Sequence, residues 1–231
     1  MGGHEIALQA VVMNGAARSE ATLRIRDAVI AGWTGRDPAA VEKHIRELEA
    51  LGVARPATAP IFYRVAAARL TTALTIEVAG DQSSGEVEFV LVRQGGRLWV
   101  GVGSDHTDRK VETYNVTVSK QMCEKPIAAE FWAFDDVKDH WDKLMLRSWA
   151  HFDGAPVLYQ EGPVAAMLPP NDLMTQFAPA GLPDDCAMFC GTLAAHGGIR
   201  PAPRFSFELE DPVLGRRIRH AYDIKSLPIL G

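Results

Sequence analysis

Apolar residues recur along the chain at two periods, and each period predicts a different element. Val41, Ile45, Leu48 and Leu51 fall at i, i+4, i+7 and i+10, one stripe of a 3.6-residue helix. Asp37 stands at its N-cap, Pro38 takes the first helical position, and Gly52 supplies the stop after Leu51. A shorter helix is predicted from a cap at Asp135 or Asp136 through Val137, Trp141 and Leu144. Elsewhere the alternation has period two. Leu74 to Val78 alternates, and Gly85 to Val92 runs into Gly95-Gly96 and returns through Arg97 to Val100, which predicts a hairpin. A second hairpin joins Leu146–Phe152 to Val157–Gln160 through Asp153-Gly154. A third joins Phe205–Glu210 to Ile218–Tyr222 through Asp211-Pro212 and Gly215. The layout is strand-rich α+β with a few short helices, without the regular βαβ alternation of a doubly wound sheet.

Composition narrows the class. The chain has 231 residues, 47% of them apolar and 23% charged, which excludes a disordered or collagen-like polymer. Neither a repeat nor a linker divides it, so residues 1–231 read as one domain around one large core. A net charge of −5 and a pI near 5.8 leave no broad basic field for phosphates, which argues against nucleic acid and for a small ligand. Cys123, Cys186 and Cys190 make an odd count without zinc-site spacing and read as reduced, buried thiols. The N-terminus lacks the pattern of a signal peptide, and no window is apolar enough for a membrane span. The expectation is a soluble, cytoplasmic protein that binds no membrane.

The first hairpin carries the chemistry. With Gly95-Gly96 as a two-residue loop, Gln94 faces Arg97 and opposed residue numbers sum to 191, which sets Glu86 opposite Asp105. Glu88 shares the face of Glu86, about 7 Å along at ~3.3 Å per residue, so Glu86, Glu88 and Asp105 converge. Val90 and Val92 continue that face, which marks it as buried. Converging carboxylates beside apolar neighbours repel one another unless a hard cation such as Mg²⁺ or Mn²⁺ neutralises them. A solvated Glu-x-Glu edge is the alternative. On the first helix His44 and Glu47 are i, i+3 neighbours at the rim of the apolar stripe, where a carboxylate orients an imidazole as a general base. On its own the pair reads as ordinary polar residues of a surface helix.

The order of short motifs resembles the fumarylacetoacetate hydrolase superfamily across nearly the whole chain. Gly35-Arg36-Asp37, His44, Glu47 and Pro60-Ile-Phe-Tyr are similar to its Gly-Arg-Asn, His-x-x-Glu and Pro-x-x-Phe segments. Glu86-Val-Glu88 resembles its Glu-x-Glu, and Ser104-Asp105 with Arg109 resembles Asn-Asp-x-x-x-Arg. Lys120 with Pro126, Gln160, and Gly191-Thr192 follow in the family's sequence. Ser104 in place of Asn, Leu193 in place of Pro, a short Glu88-to-Asp105 connection and a Lys120-to-Pro126 spacing one residue short mark a divergent branch, of the kind carried as a domain of unknown function.

The resemblance implies a mixed β-sandwich roll with residues 35–52 as a lid helix. It implies Mg²⁺ or Mn²⁺ on Glu86, Glu88 and Asp105, water activated by His44 with Glu47, and an oxyanion or enolate held by Lys120 and Gln160. Arg109 and Thr192 would hold the carboxylate of a small acidic substrate. The activity implied is hydrolysis of a carbon–carbon or related acyl bond in a dicarbonyl or 2-oxo acid. The alternative is a lyase, either a decarboxylase or a sugar-acid dehydratase, using the same enolate chemistry. A homodimer is also implied, with Trp132, Phe134, Trp141, Trp149 and Phe152 as interface or as core.

Overall fold

The computed structural model describes residues 5–50 and 55–230, and its two main sheets share one core. The larger sheet orders its strands as Ala17–Ile25, Ile6–Asn14, Glu130–Ala133, Arg97–Ser104, Val87–Gln94, Cys186–Phe189, Asp27–Gly32 and Ile61–Val65. The smaller runs Ala155–Pro163, Met145–Phe152, Arg204–Asp211, Arg216–Leu227 and Thr75–Ala79. All three hairpins expected from the sequence are present. Gly95 and Gly96, with φ of 58° and 73°, make the tight turn whose twist suits paired strands. The pairing Val87↔Ser104, Glu88↔Gly103 and Gln94↔Arg97 keeps the register in which paired numbers sum to 191.

Strand Val87–Gln94 is buried on both faces. Val87, Phe89 and Leu91 join Phe205, Phe207, Leu209 and Ile218 in the core between the sheets. Val90 and Val92 join Leu8, Val12, Ile30, Tyr63 and Phe189, so the large sheet curls around a second apolar cluster on its other side. Glu88 points toward this second side because side chains alternate along a strand. Across from it, Gly103 has no room for a side chain: a Cβ would lie 2.6 Å from the Phe189 ring and 2.9 Å from Pro126 O. Trp132 and Trp141 are buried in the core rather than displayed on a surface.

The first helix spans Pro38–Ala50, with Asp37 Oδ1 accepting from the backbone N–H of Ala39 at 2.9 Å. Its expected end at Leu51 and Gly52 lies outside the described residues. The second helix is corrected in detail: it is a turn at Phe134–Val137 followed by a 3₁₀ segment, Lys138–Lys143. Asp135 and Asp136 sit inside its first turn instead of capping it. The Asp136 carboxylate is taken by the N–H of Gly15 at 2.8 Å, and Asp135 pairs with Lys138. Among the described residues three α-helices were not anticipated: Arg109–Glu112, Val116–Met122 and Pro170–Phe177. Val116, Thr117 and Val118 favour a strand by their β-branching, but Asn115 accepts from the N–H of Val118 and starts a helix there.

A buried polar chain stitches the sheets together beside Asp105. Ser83 Oγ bonds His106 Nε2 at 2.8 Å, His106 Nδ1 bonds Tyr222 Oη at 2.9 Å, and Tyr222 Oη bonds Ser104 Oγ at 2.9 Å. Ser104 Oγ then accepts from the N–H of Glu86. Burial pulls the His106 pKa down from 6.5 to about 3, helped by Lys125 and Arg109 and opposed by Asp105. The folded imidazole is therefore neutral.

Two outcomes are expected. Phe89, fully buried and packed edge-to-face on Trp141 at 5.0 Å, should cost about 3–5 kcal/mol of stability as Phe89→Ala, measured by urea unfolding. Between about pH 6.5 and 3 the unfolded chain binds a proton at His106 that the folded chain refuses, so stability falls as pH falls through that window. His106→Gln removes this loss, and its urea midpoint should fall less steeply than that of the wild type over the same range.

Candidate metal centre

Glu86, Glu88 and Asp105 meet where the hairpin strands leave the sheet, and each offers a carboxylate oxygen within 4.8 Å of the others. Asp105 donates its backbone N–H to Glu86 O at 3.0 Å, which extends the hairpin pairing by one step and brings the side chains together. Glu88 is 2% exposed and Asp105 fully buried, so neither charge is relieved by bulk water. Burial raises the Glu88 carboxyl well above its usual range and the neighbouring Asp105 charge adds to the effect, opposed by Lys120 and by the N–H of Gly191. That N–H reaches Glu88 Oε2 at 2.8 Å. Gly191 sits at φ +93°, and a Cβ there would lie 1.8 Å from Thr34 Oγ1, so the turn needs glycine.

Cations arrive from separate segments. The Lys120 ammonium, on the helix Val116–Met122, pairs with Asp105 Oδ2 and lies 5.7 Å from the centre of the Tyr63 ring. Lys125, from the two-residue strand Lys125–Pro126, donates to His106 O at 2.5 Å and stands 3.0 Å from Asp105 Oδ1. Burial pushes the Asp105 pKa up, but the two ammonium groups outweigh it and hold the carboxyl below its usual range. Lys120 is held above its usual range by Asp105 and Glu86 against the effect of burial, while Lys125 is lowered because burial outweighs Asp105. Arg109 bonds Ser84 Oγ at 2.7 Å and Glu112 at 2.9 Å, and reaches Glu86 at 3.3 Å. It pairs with Glu86 and Glu112 while Asp108 caps the short helix Arg109–Glu112.

Two of the expected residues stand one layer back. Gln160 Oε1 accepts from the N–H of Val87 and from Ser148 Oγ, both at 2.9 Å, while Nε2 donates to Thr192 Oγ1 and Leu193 O. Its amide has no bonding capacity left over. Thr192 Oγ1 donates to Val87 O at 2.7 Å. Both therefore brace the residue between Glu86 and Glu88. Arg36 forks onto Asp142 with two bonds of 2.9 Å and anchors the start of the helix Pro38–Ala50. That helix carries His44 and Glu47, whose side chains lie outside the described residues.

The donor set fits a hard divalent cation: three converging carboxylates, two of them buried and Glu86 half-buried, with Glu88 kept from ionising easily by burial and by Asp105. Asp105 Oδ1 adds a buried oxygen without a hydrogen-bond donor aligned on it. Sequence reading missed Lys125 and Tyr222. A lysine between Glu124 and Pro126 in a polar segment resembles a surface charge, and no local signal says that it is buried.

Solved structures of similar fold carry related chemistry in their names. A protein designated a fumarylpyruvate hydrolase from Burkholderia cenocepacia superposes with a TM-score of 0.62 at 19% identity, covering 96% of this chain and 97% of that one. Yeast ynq8, a fumarylacetoacetate hydrolase family protein, gives 0.65 at 18%, covering 89% and 95%. A 2-keto-3-deoxy-D-arabinonate dehydratase complexed with magnesium and 2,5-dioxopentanoate gives 0.61 at 14%, covering 88% and 74%. At these identities the likeness is one of fold, and the roll is of the fumarylacetoacetate hydrolase type. No curated protein matches in sequence. Residues 31–222 match the family described as protein of unknown function DUF2848, and the chain belongs to that family.

Proposed function

We propose that the chain is a Mg²⁺- or Mn²⁺-dependent enzyme that cleaves a carbon–carbon or related acyl bond of a small dicarbonyl or 2-oxo acid with water. The observation that carries this reading is the convergence of Glu86 with the buried Glu88 and Asp105, with the Lys120 ammonium on the Asp105 carboxylate. When bound, the cation supplies Lewis acidity and a template for adjacent substrate oxygens. Glu86, Glu88 and Asp105 would hold it. His44, oriented by Glu47, takes a proton from water as the hydroxide oxygen adds to the carbonyl carbon. The carbon–carbon bond then breaks, its electron pair passes to the departing enolate, and the proton that His44 took from water is delivered to that carbanion. Lys120 offers an ammonium for the developing negative charge, and Arg109 a planar fork of donors for a carboxylate. Gln160 and Thr192 support the strand that carries the two glutamates. No helix among the described residues is long and apolar enough to cross a membrane.

A lyase is the second reading, favoured by the dehydratase among the similar structures. It uses the same carboxylates and Lys120 to stabilise an enolate without adding water. The two readings separate at His44.

Calorimetric titration of chelator-stripped protein with Mg²⁺ and Mn²⁺ should give saturable binding, followed by metal-dependent binding of oxalate as a 2-oxo acid mimic. Glu88→Ala should abolish both, and absence of metal binding by the wild type would remove the metal-dependent assignment. With a turned-over dicarbonyl acid in hand, His44→Ala should lower hydrolysis by roughly 10²–10⁴-fold and leave decarboxylation of an oxaloacetate-like acid in place. Equal loss of both activities would count against water activation as the role of His44.

A further inference from the structure

Lys125 has no access to solvent, and its ammonium lies between the carbonyl of His106 at 2.5 Å and Asp105 Oδ1 at 3.0 Å. Lys120 already occupies the other oxygen of the same carboxylate. One buried carboxylate thus carries an ammonium on each oxygen. Lys120 alone matches its charge, so Lys125 is a second positive charge at an anchor point for a divalent cation. Taking a lysine out of water is unfavourable, and an apolar side chain would fill the space without that penalty. The retained charge has a direction of effect. At a few ångströms in a poorly hydrated interior it repels a dication and attracts an anion.

We propose that Lys125 couples the cation to the acidic substrate: it weakens binding of the metal alone and strengthens binding of a dianion to the metal-loaded site, so that the two are retained together. The inference rests on the metal-dependent reading of the same centre. It gives Lys125 an electrostatic task distinct from that of an anchor for the His106 carbonyl. An anchor, once removed, loosens Asp105 and weakens every ligand. A repelling charge, once removed, tightens one ligand and weakens the other. No loss of structure produces opposite signs.

The test is calorimetric titration of the full chain with Mn²⁺ and then of the Mn²⁺-loaded protein with oxalate, on the wild type, Lys125→Met and Lys125→Gln. The glutamine variant keeps a donor for the His106 carbonyl and serves if the methionine variant fails to fold by circular dichroism. The expected result is Mn²⁺ binding tighter by roughly tenfold and oxalate binding weaker by roughly tenfold. A folded variant with unchanged or weaker Mn²⁺ affinity overturns the proposal, as does failure of both variants to fold, which would assign Lys125 to the scaffold. Wild-type protein that takes up Mn²⁺ and oxalate beside a variant that binds both more weakly leaves the metal-dependent reading intact and removes only the role of Lys125. Wild-type protein that takes up no Mn²⁺ removes both.

Discussion

Three carboxylates drawn within 4.8 Å of one another, two of them out of reach of water, set the demand that the surrounding structure answers. Their mutual repulsion grows as the local dielectric falls, so each needs donors or counter-charges placed by the fold. Glu88 receives the N–H of Gly191, Asp105 receives Lys120 and Lys125, and Glu86 receives Arg109. These partners come from four separate segments. Glu88 depends on the turn at Gly191 and Glu86 on Arg109, whereas Asp105 has an ammonium on each oxygen, and the local arrangement of helices and turns supplies these partners.

The large sheet makes such a centre affordable by spending apolar area around it. Strand Val87–Gln94 contributes to both hydrophobic clusters, so its backbone position is held from two sides. Gly103 opposite Glu88 leaves room for the Phe189 ring and Pro126 O, and Gly191, whose N–H bonds the Glu88 carboxylate, leaves room for Thr34. Gln160 and Thr192 then clamp the backbone of Val87, and the chain from Ser83 through His106 and Tyr222 to Ser104 clamps the N–H of Glu86. The glutamates are thereby fixed through the backbone, by groups that do not bond their carboxylates. Rigid support of this kind limits the reorganisation needed when charge changes at the centre.

The carboxylate centre and the first helix differ in how they are tied down. Glu88 stands on a paired strand and Glu86 and Asp105 one residue beyond the paired ends, whereas the helix Pro38–Ala50 is joined to the body at its start through Arg36 and Asp142 and through the bridge of Gly35 with Met167. Residues on strands keep their geometry through divergence better than those on connecting segments. Similarity of fold to proteins at 14–19% identity, with hydrolase and dehydratase both among their names, is consistent with a common frame serving several substrates.

Sequence alone determined the hairpin at Gly95-Gly96, its register, and with it the meeting of Glu86, Glu88 and Asp105, because a two-residue turn and period-two alternation act over short distances. The same local rules made the helix capped at Asp37 legible, and the order of short motifs carried the family resemblance and the strand-rich roll. Tertiary structure decided the rest. The helix at Val116–Met122 ran against its β-branched residues because a cap and the burial of Ser119 and Lys120 prevailed over propensity. Lys125 looks like a solvated charge in its own neighbourhood, and only packing from several strands removes its water and sets it on Asp105. Tyr222 lies 118 residues from the Ser104 hydroxyl it bonds, a separation that no periodicity along the chain encodes. Compensation of buried charge is a property of what surrounds a group in space, and that surrounding exists only once the distant segments have packed together.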